Sequence, residues 1–407
     1  MNDILKLMPQ MYAEDALEEK LAVLPPYDVA VRTKSNAERL IALQDIYGIY
    51  IPNKMSKEIY SKLYLSLLRS LQKKQSALVV RQFNENVKMI RQKSFESLIG
   101  GSDSFTVIGP SGIGKSSAIS RAMHIIAEVP ILRLENTTIL PCLQVQTPAD
   151  SSPKGLFLEI LRKCDEALGT RYHESAVRSH ATIDMLIGSV SQVALNHIGL
   201  LVVDEIQHVV NSKNGKNIIG ALTQLINNAA ISICLVGTPE STMFFGQEYV
   251  LARRALGLHY TTMEYGDDFR NFCRRIFGYC YVKEEPNVDE SMLMWLYNHS
   301  GGNASVVVSL IHDSQEIAIM EKIEKLDLAV LNTAYEKRMS MLHDFIAPAQ
   351  IKAASVKKEK HVLPKIKSNV VEDSLSIHSI SAEAKKFRKN IAQELKEKGV
   401  QILEVSI

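Results

Sequence analysis

The feature that most constrains this chain is the octapeptide Gly109-Pro110-Ser111-Gly112-Ile113-Gly114-Lys115-Ser116. A short apolar run, Phe105 to Ile108, precedes it, and a helical stretch from about Ser116 to Ala127 follows. Glycines, a lysine and a hydroxyl at this spacing match the Walker A pattern. The glycines let backbone N–H groups turn inward around phosphates. Lys115 reaches the β- and γ-phosphates as a point charge, and Ser116 offers its hydroxyl to Mg²⁺. The helix that follows aims its N-terminal dipole at the nucleotide. Residues Gly109 to Ser116, with Ser117, are therefore expected to bind ATP and Mg²⁺. A Gly-rich turn without nucleotide is the bland alternative; the strand before and the helix after speak against it.

The rest of the pattern fits one fold class. Phe105–Ile108, Leu143–Gln146, Leu200–Val203 and Ile231–Val236 read as strands separated by helical patterns. That alternation predicts βαβ units around a buried parallel sheet, an α/β core over 101–285. Residues 1–100 read as a helical region; Leu63, Leu65, Leu67, Leu68 and Leu71 recur near helical spacing, and a second helix is expected over about Ala77 to Ser97. Residues 286–346 lack strand-like runs and predict a small helical lid. From 347 to 407 a basic, partly flexible tail is expected, with one last basic helix over about Ala382 to Lys398.

Leu200-Leu201-Val202-Val203-Asp204-Glu205 is a Walker B segment, an apolar strand ending in two carboxylates. Asp204 is assigned to the magnesium shell and Glu205 to the attacking water. The acidic pair, with no guanine-reading Asn/Thr-Lys-x-Asp motif, favours an enzyme that hydrolyses ATP; a strand-end capping pair is the alternative. Strand Ile231–Val236 ends in Gly237-Thr238-Pro239-Glu240. Thr238 can orient water and sense the γ-phosphate, or simply form a turn. Arg253 or Arg254 could reach a neighbouring subunit's nucleotide as a trans finger; a surface basic pair is the other reading, and spacing does not choose between the two arginines. Asn303 opens a helix.

Composition narrows the class further. The 407 residues are 46% hydrophobic and 23% charged, which excludes a collagen, a disordered chain or a disulfide scaffold. No apolar run reaches the length of a membrane span, and the first residues do not read as a secretion signal. The five cysteines are scattered with no Cys-x-x-Cys pair, so no zinc site or disulfide framework is indicated and a reduced, cytoplasmic location is expected. Net charge is only +2, but Lys352 to the end carries 12 Lys and Arg against 7 Asp and Glu, leaving 35 against 38 before it. The positive excess sits in the tail, which could meet phosphates or an acidic partner.

These residues carry a resemblance. Leu200 to His208, with Gly237-Thr238-Pro239 and then Arg253-Arg254, is similar to TnsC, the TniB-related AAA+ regulators of heteromeric cut-and-paste transposons. Tyr172 to Glu205 resembles it too, especially Ile183–Leu186 and Ala194–Asn196, and Tyr64 to Gln75 more loosely. The likeness spans about 60–345 and is poor in the tail. It implies an AAA+ P-loop NTPase that binds ATP, assembles as a ring or helical homo-oligomer around double-stranded DNA, and bridges a TnsD/TniQ-type target-selection protein to the transposase subunits. Hydrolysis would then disassemble it. In many AAA+ proteins an arginine near position 303 contacts the nucleotide in cis; Asn303 there implies an altered second sensor and slow hydrolysis. In such proteins inner-face loops track the DNA backbone. The resemblance thus points to Lys154, in Ser151–Gly155, and to Lys213 and Lys216 in the loop after Walker B; both loops also read as ordinary solvated turns. An origin-recognition or loader-type AAA+ ATPase shares the same motifs and helical lid, although no winged helix is evident after 345. A signalling scaffold that holds nucleotide without hydrolysing it is the third reading.

Overall fold

The computed structural model describes residues 6, 8–74, 104–134, 137–209, 215–229, 231–242, 257–343 and 345–346. The chain divides into Met1–Ala353 and Ala354–Ile407, and the described residues belong to the first unit. The helix expected over 77–97 and the tail lie outside them.

In chain order the α-helices and strands begin with α1 (Glu14–Leu21), α2 (Asn36–Ala42) and α3 (Lys54–Lys74). Then come β1 (Phe105–Ile108), α4 (Lys115–Ile126), β2 (Leu132–Leu134) and β3 (Thr137–Gln146). Helices α5 (Pro153–Leu168), α6 (Tyr172–Arg178) and α7 (Ile183–His197) lead to β4 (Ile198–Asp204), α8 (Gly215–Asn228), β5 (Ser232–Gly237) and β6 (Leu258–His259). Helices α9 (Asp267–Phe277), α10 (Glu290–Ser300), α11 (Ala304–Met320) and α12 (Leu328–Arg338) follow.

The sheet runs β2-β3-β4-β5-β1-β6. All neighbours pair in parallel except the edge pair β2–β3. Strands β1, β4 and β5 are buried along their whole length, because helices cover both faces of a parallel sheet and each strand can be apolar throughout. Alternation splits β4 between two cores. Leu201 and Val203 pack with Phe157 of α5, Val190 of α7 and Leu222 of α8. Leu200 and Val202 pack on the opposite face with Leu63 and Leu67 of α3 and Ile119 of α4. Leu63, Leu67 and Leu71 stand four apart and face inward, whereas Leu65 lies off that stripe and is 44% exposed.

Parallel strands bring their C-terminal ends to one edge. Ile108 pairs with Gly237, and Gln146 with Asp204. The Walker A loop leaves β1 there, the acidic pair ends β4 and Thr238 follows β5, so one edge holds all three signals. Ligands of open α/β sheets gather at such an edge.

The helices after the sheet form a separate core. Phe269, Cys273 and Ile276 of α9 pack with Leu293 and Leu296 of α10, Leu310 and Ile311 of α11 and Leu331 of α12. Helix α9 thus packs with the lid helices although it precedes residue 286. Leu43 and Ile46 of the N-terminal segment enter the same cluster, while Leu17 and Leu21 of α1 join α3 against the sheet. The N-terminal region therefore serves both cores. A two-residue bridge closes the excursion at its base: Val23 N–H donates to Tyr50 O at 2.9 Å and Tyr50 N–H to Val23 O at 2.8 Å. Its far end is clamped by Arg39, whose side chain is fully buried. The guanidinium donates to both Glu324 carboxylate oxygens (2.6 and 2.7 Å), to Tyr281 O (3.1 Å) and to Asn36 Oδ1 (2.9 Å). No described helix is long and apolar enough to cross a membrane.

Candidate nucleotide site

Walker A turns where only glycine is relaxed: Gly112 has φ +81° and Gly114 φ +95°. Helix α4 begins directly after, at Lys115. The Lys115 ammonium folds back onto the loop, donating to Gly109 O at 2.6 Å and Pro110 O at 2.8 Å. It is nearly buried, and burial pulls its pKa below the usual lysine value against the opposing pull of Asp204, Glu205 and Glu240. Ser111 of the loop and Ser116 and Ser117 in the first turn of α4 are exposed, Ile113 packs inward, and Pro110 is half-buried.

Ser116 Oγ donates to Asp204 Oδ2 at 3.0 Å. The same carboxylate accepts from Glu205 N–H at 2.8 Å through Oδ1 and from Gln144 Nε2 at 3.4 Å through Oδ2. A hydroxyl and a carboxylate already in contact form a hard oxygen donor set that fits Mg²⁺. Glu205 is half-buried with φ +59°, an unusual backbone for a side chain with a Cβ. Its Oε2 accepts from Gln207 Nε2. Thr238 sits just past β5, half-buried; its side chain hydrogen-bonds the Glu240 carboxylate, which this bond chiefly, then the Glu240 backbone N–H and last Lys115, hold below the usual carboxylate range.

The lid reaches the loop. Asn303 caps α11, its Oδ1 accepting from Ser305 N–H at 3.1 Å, while its Nδ2 donates to Ser111 O at 2.8 Å. Ser305 N–H also donates to Gly112 O at 3.0 Å. Asn303, at the start of α11, thus holds the phosphate loop's backbone. Sequence reading found Asn303 but missed this contact, and it passed over Gln207 and Glu240. The available signal was position alone: Gln207 lies two residues after Glu205, and Glu240 two after Thr238.

The candidate DNA residues divide. Lys154 is exposed at the second position of α5, whose cap Ser152 accepts from Gly155 N–H at 3.2 Å. Its loop is tied to Walker B: Ser151 Oγ donates to His208 O at 2.7 Å, and Thr147 donates to Asp204 O through both N–H and Oγ1 at 2.9 Å. Lys213, Arg253 and Arg254 lie outside the described residues, as does the side chain of Lys216.

The AAA domain family matches residues 100–243. The fold is an AAA+ P-loop fold. No curated protein matches the chain by sequence. Among solved structures, this chain is similar to the Aeropyrum pernix ORC2 protein, with 14% identity and a TM-score of 0.42 over 64% of this chain and 66% of that one. The chain thus spans just under two thirds of that protein. The Drosophila ORC bound to DNA matches at 14% identity and TM-score 0.45, over 98% of this chain and 86% of that one. The Aeropyrum pernix ORC1 protein in complex with DNA matches at 14% identity and TM-score 0.41, over 81% and 85%. The likeness to TnsC rests on the residue strings alone.

Proposed function

We propose that this chain is a cytoplasmic AAA+ ATPase that assembles as a homo-oligomer on duplex DNA and regulates DNA transposition. The observation that carries the chemistry is the contact of Ser116 with Asp204 at 3.0 Å, with Glu205 beside it at the mouth of the Walker A loop. Mg²⁺ bound there would neutralise charge on the ATP phosphates. Lys115 would leave the loop carbonyls for the phosphates, and Thr238 would orient water for Glu205 to polarise. The transposition role rests on the string Asp204 to His208 with Gly237-Thr238-Pro239. In this reading Lys154, Lys213 and Lys216 meet the DNA backbone, Arg253 or Arg254 completes a neighbour's site, and a TnsD/TniQ-type selector and transposase subunits are the partners.

An origin-recognition or loader-type ATPase fits the geometry equally, because the phosphate loop, the sensor strand and the helical lid serve either role. Two measurements separate these readings. Negative-stain imaging with duplex DNA and a slowly hydrolysed ATP analogue is expected to show rings or filaments that vanish without nucleotide; monomers under both conditions would sink either DNA-assembly reading. Capture of transposase subunits by the assembled protein supports the regulator, and loading of a replicative helicase without transposase capture supports the loader.

A further inference from the structure

The turn after Walker B holds a residue that the catalytic assignment leaves unused. Residues Ile206–Val209 form one short 3₁₀ turn, opened by Glu205 in a left-handed backbone conformation. That backbone turns the chain back, and Gln207 Nε2 donates to Glu205 Oε2. A carboxylate that must face water cannot also be held by packing; a donor on one of its oxygens fixes its direction and leaves the other oxygen free.

The other end of the same amide points elsewhere. Gln207 Oε1 is buried without a hydrogen-bond partner among the described residues, and so is Ser241 Oγ. Both lie against Gly237, the last residue of β5: a Cβ placed there would stand 3.2 Å from Gln207 Oε1 and 2.5 Å from Ser241 Oγ. Buried polar atoms are rarely left unpaired in a settled structure. Gly237 leads directly into Thr238, so the one amide holds Glu205 with its nitrogen and sets its oxygen beside the residue that precedes the sensor tip.

We infer that Gln207 is the positioning residue of Glu205 and links it to the tip of β5. This rests on the ATPase reading proposed above. Gln207 acts by holding Glu205 through Nε2, and a movement of the Gly237–Ser241 turn around bound nucleotide gives Oε1 a partner and fixes the amide. Hydrolysis is then strongest when the sensor tip has closed.

The test uses the full chain with ATP, Mg²⁺ and duplex DNA. Gln207→Leu removes the donor, and Gln207→Glu keeps the shape while replacing the donor with an acceptor. Both are expected to lower kcat roughly ten- to a hundredfold, with KM and the affinity for a fluorescent ATP analogue unchanged. Single-turnover rates in the Glu205→Gln background supply the readout that a structural role would not give: Gln207→Leu should add nothing there. Equal losses in both backgrounds, or a loss that appears in nucleotide affinity instead of kcat, would overturn the inference. Wild-type protein that turns over ATP alongside unaffected Gln207 variants overturns it alone. Wild-type protein that binds nucleotide and never turns over overturns the ATPase reading and this inference with it.

Discussion

The nucleotide edge and the clamp between the N-terminal segment and the lid hold their charged groups in different ways. At the clamp, one fully buried guanidinium makes four hydrogen bonds, two of them to a single carboxylate. Two of its partners, Tyr281 and Glu324, come from distant parts of the chain; its Nε alone has no partner among the described residues. At the nucleotide edge the partners are provisional. Lys115 leans on main-chain carbonyls, Thr238 on Glu240, and Glu205 on Gln207 from an uncommon backbone conformation. Two buried polar atoms beside Gly237 have no partner among the described residues. The contrast separates a joint built to stay closed from a site built to exchange its internal partners for a ligand's.

Four changes would break or sharpen that contrast. The largest effect is expected from Glu205→Gln, which keeps the shape and removes the base: turnover should fall about a thousandfold, while nucleotide binding and assembly on DNA persist. Steady-state ATPase and sedimentation measure the two separately, and normal turnover would move the base away from Glu205. Arg39→Ala removes four hydrogen bonds of a buried guanidinium and leaves the half-buried Glu324 with Lys283 at 3.6 Å, so it should cost about 2–3 kcal/mol, read as the urea unfolding midpoint and slope. Nucleotide affinity should stay near wild type, because the clamp lies in the other region; a coupled loss of affinity would erase the distinction drawn here.

Asn303→Ala acts across the two regions. It removes the cap of α11 and the hold on Ser111 O, so it should cost about 1 kcal/mol of stability and weaken nucleotide binding about fivefold. Titration with a fluorescent nucleotide checks this. An increase in affinity would mean that the lid contact restrains the loop instead of shaping it. A fourth change concerns Lys74, at the end of α3, which donates to Ala194 O and Leu195 O at 2.7 and 2.5 Å. Burial pulls its pKa from 10.5 down to about 7. The unfolded chain therefore holds more protons than the folded chain between those values, and stability should rise with pH across that window. Denaturation of wild type and Lys74→Met in parallel should show this slope in the wild type only.

Much of the nucleotide edge was legible because its rules are local. Gly112 and Gly114 are needed for a tight turn, Ser116 for a hydroxyl at a helix start, and the run from Leu200 to Val203 for a strand buried on both faces. The four expected strand cores and the helix after the loop appear in place, in a parallel order. The N-terminal region is different. Its helical character could be read from leucine spacing, but the division of that region between two cores could not. Arg39 and Glu324 stand 285 residues apart, and no pattern along the chain announces that they meet.

The amino-acid sequence by itself thus determined the phosphate loop, the acidic pair and the alternation that makes a parallel sheet, since each depends on residues within one or two turns of backbone. The tertiary structure alone decided which side chain holds which. It set Asn303 on the phosphate loop, Ser151 on the turn after Walker B, and the Gln207 amide between Glu205 and Gly237. Those choices depend on where separate strands end in space, and a hydrogen bond's angstrom-scale reach is met only after the sheet has brought those ends together.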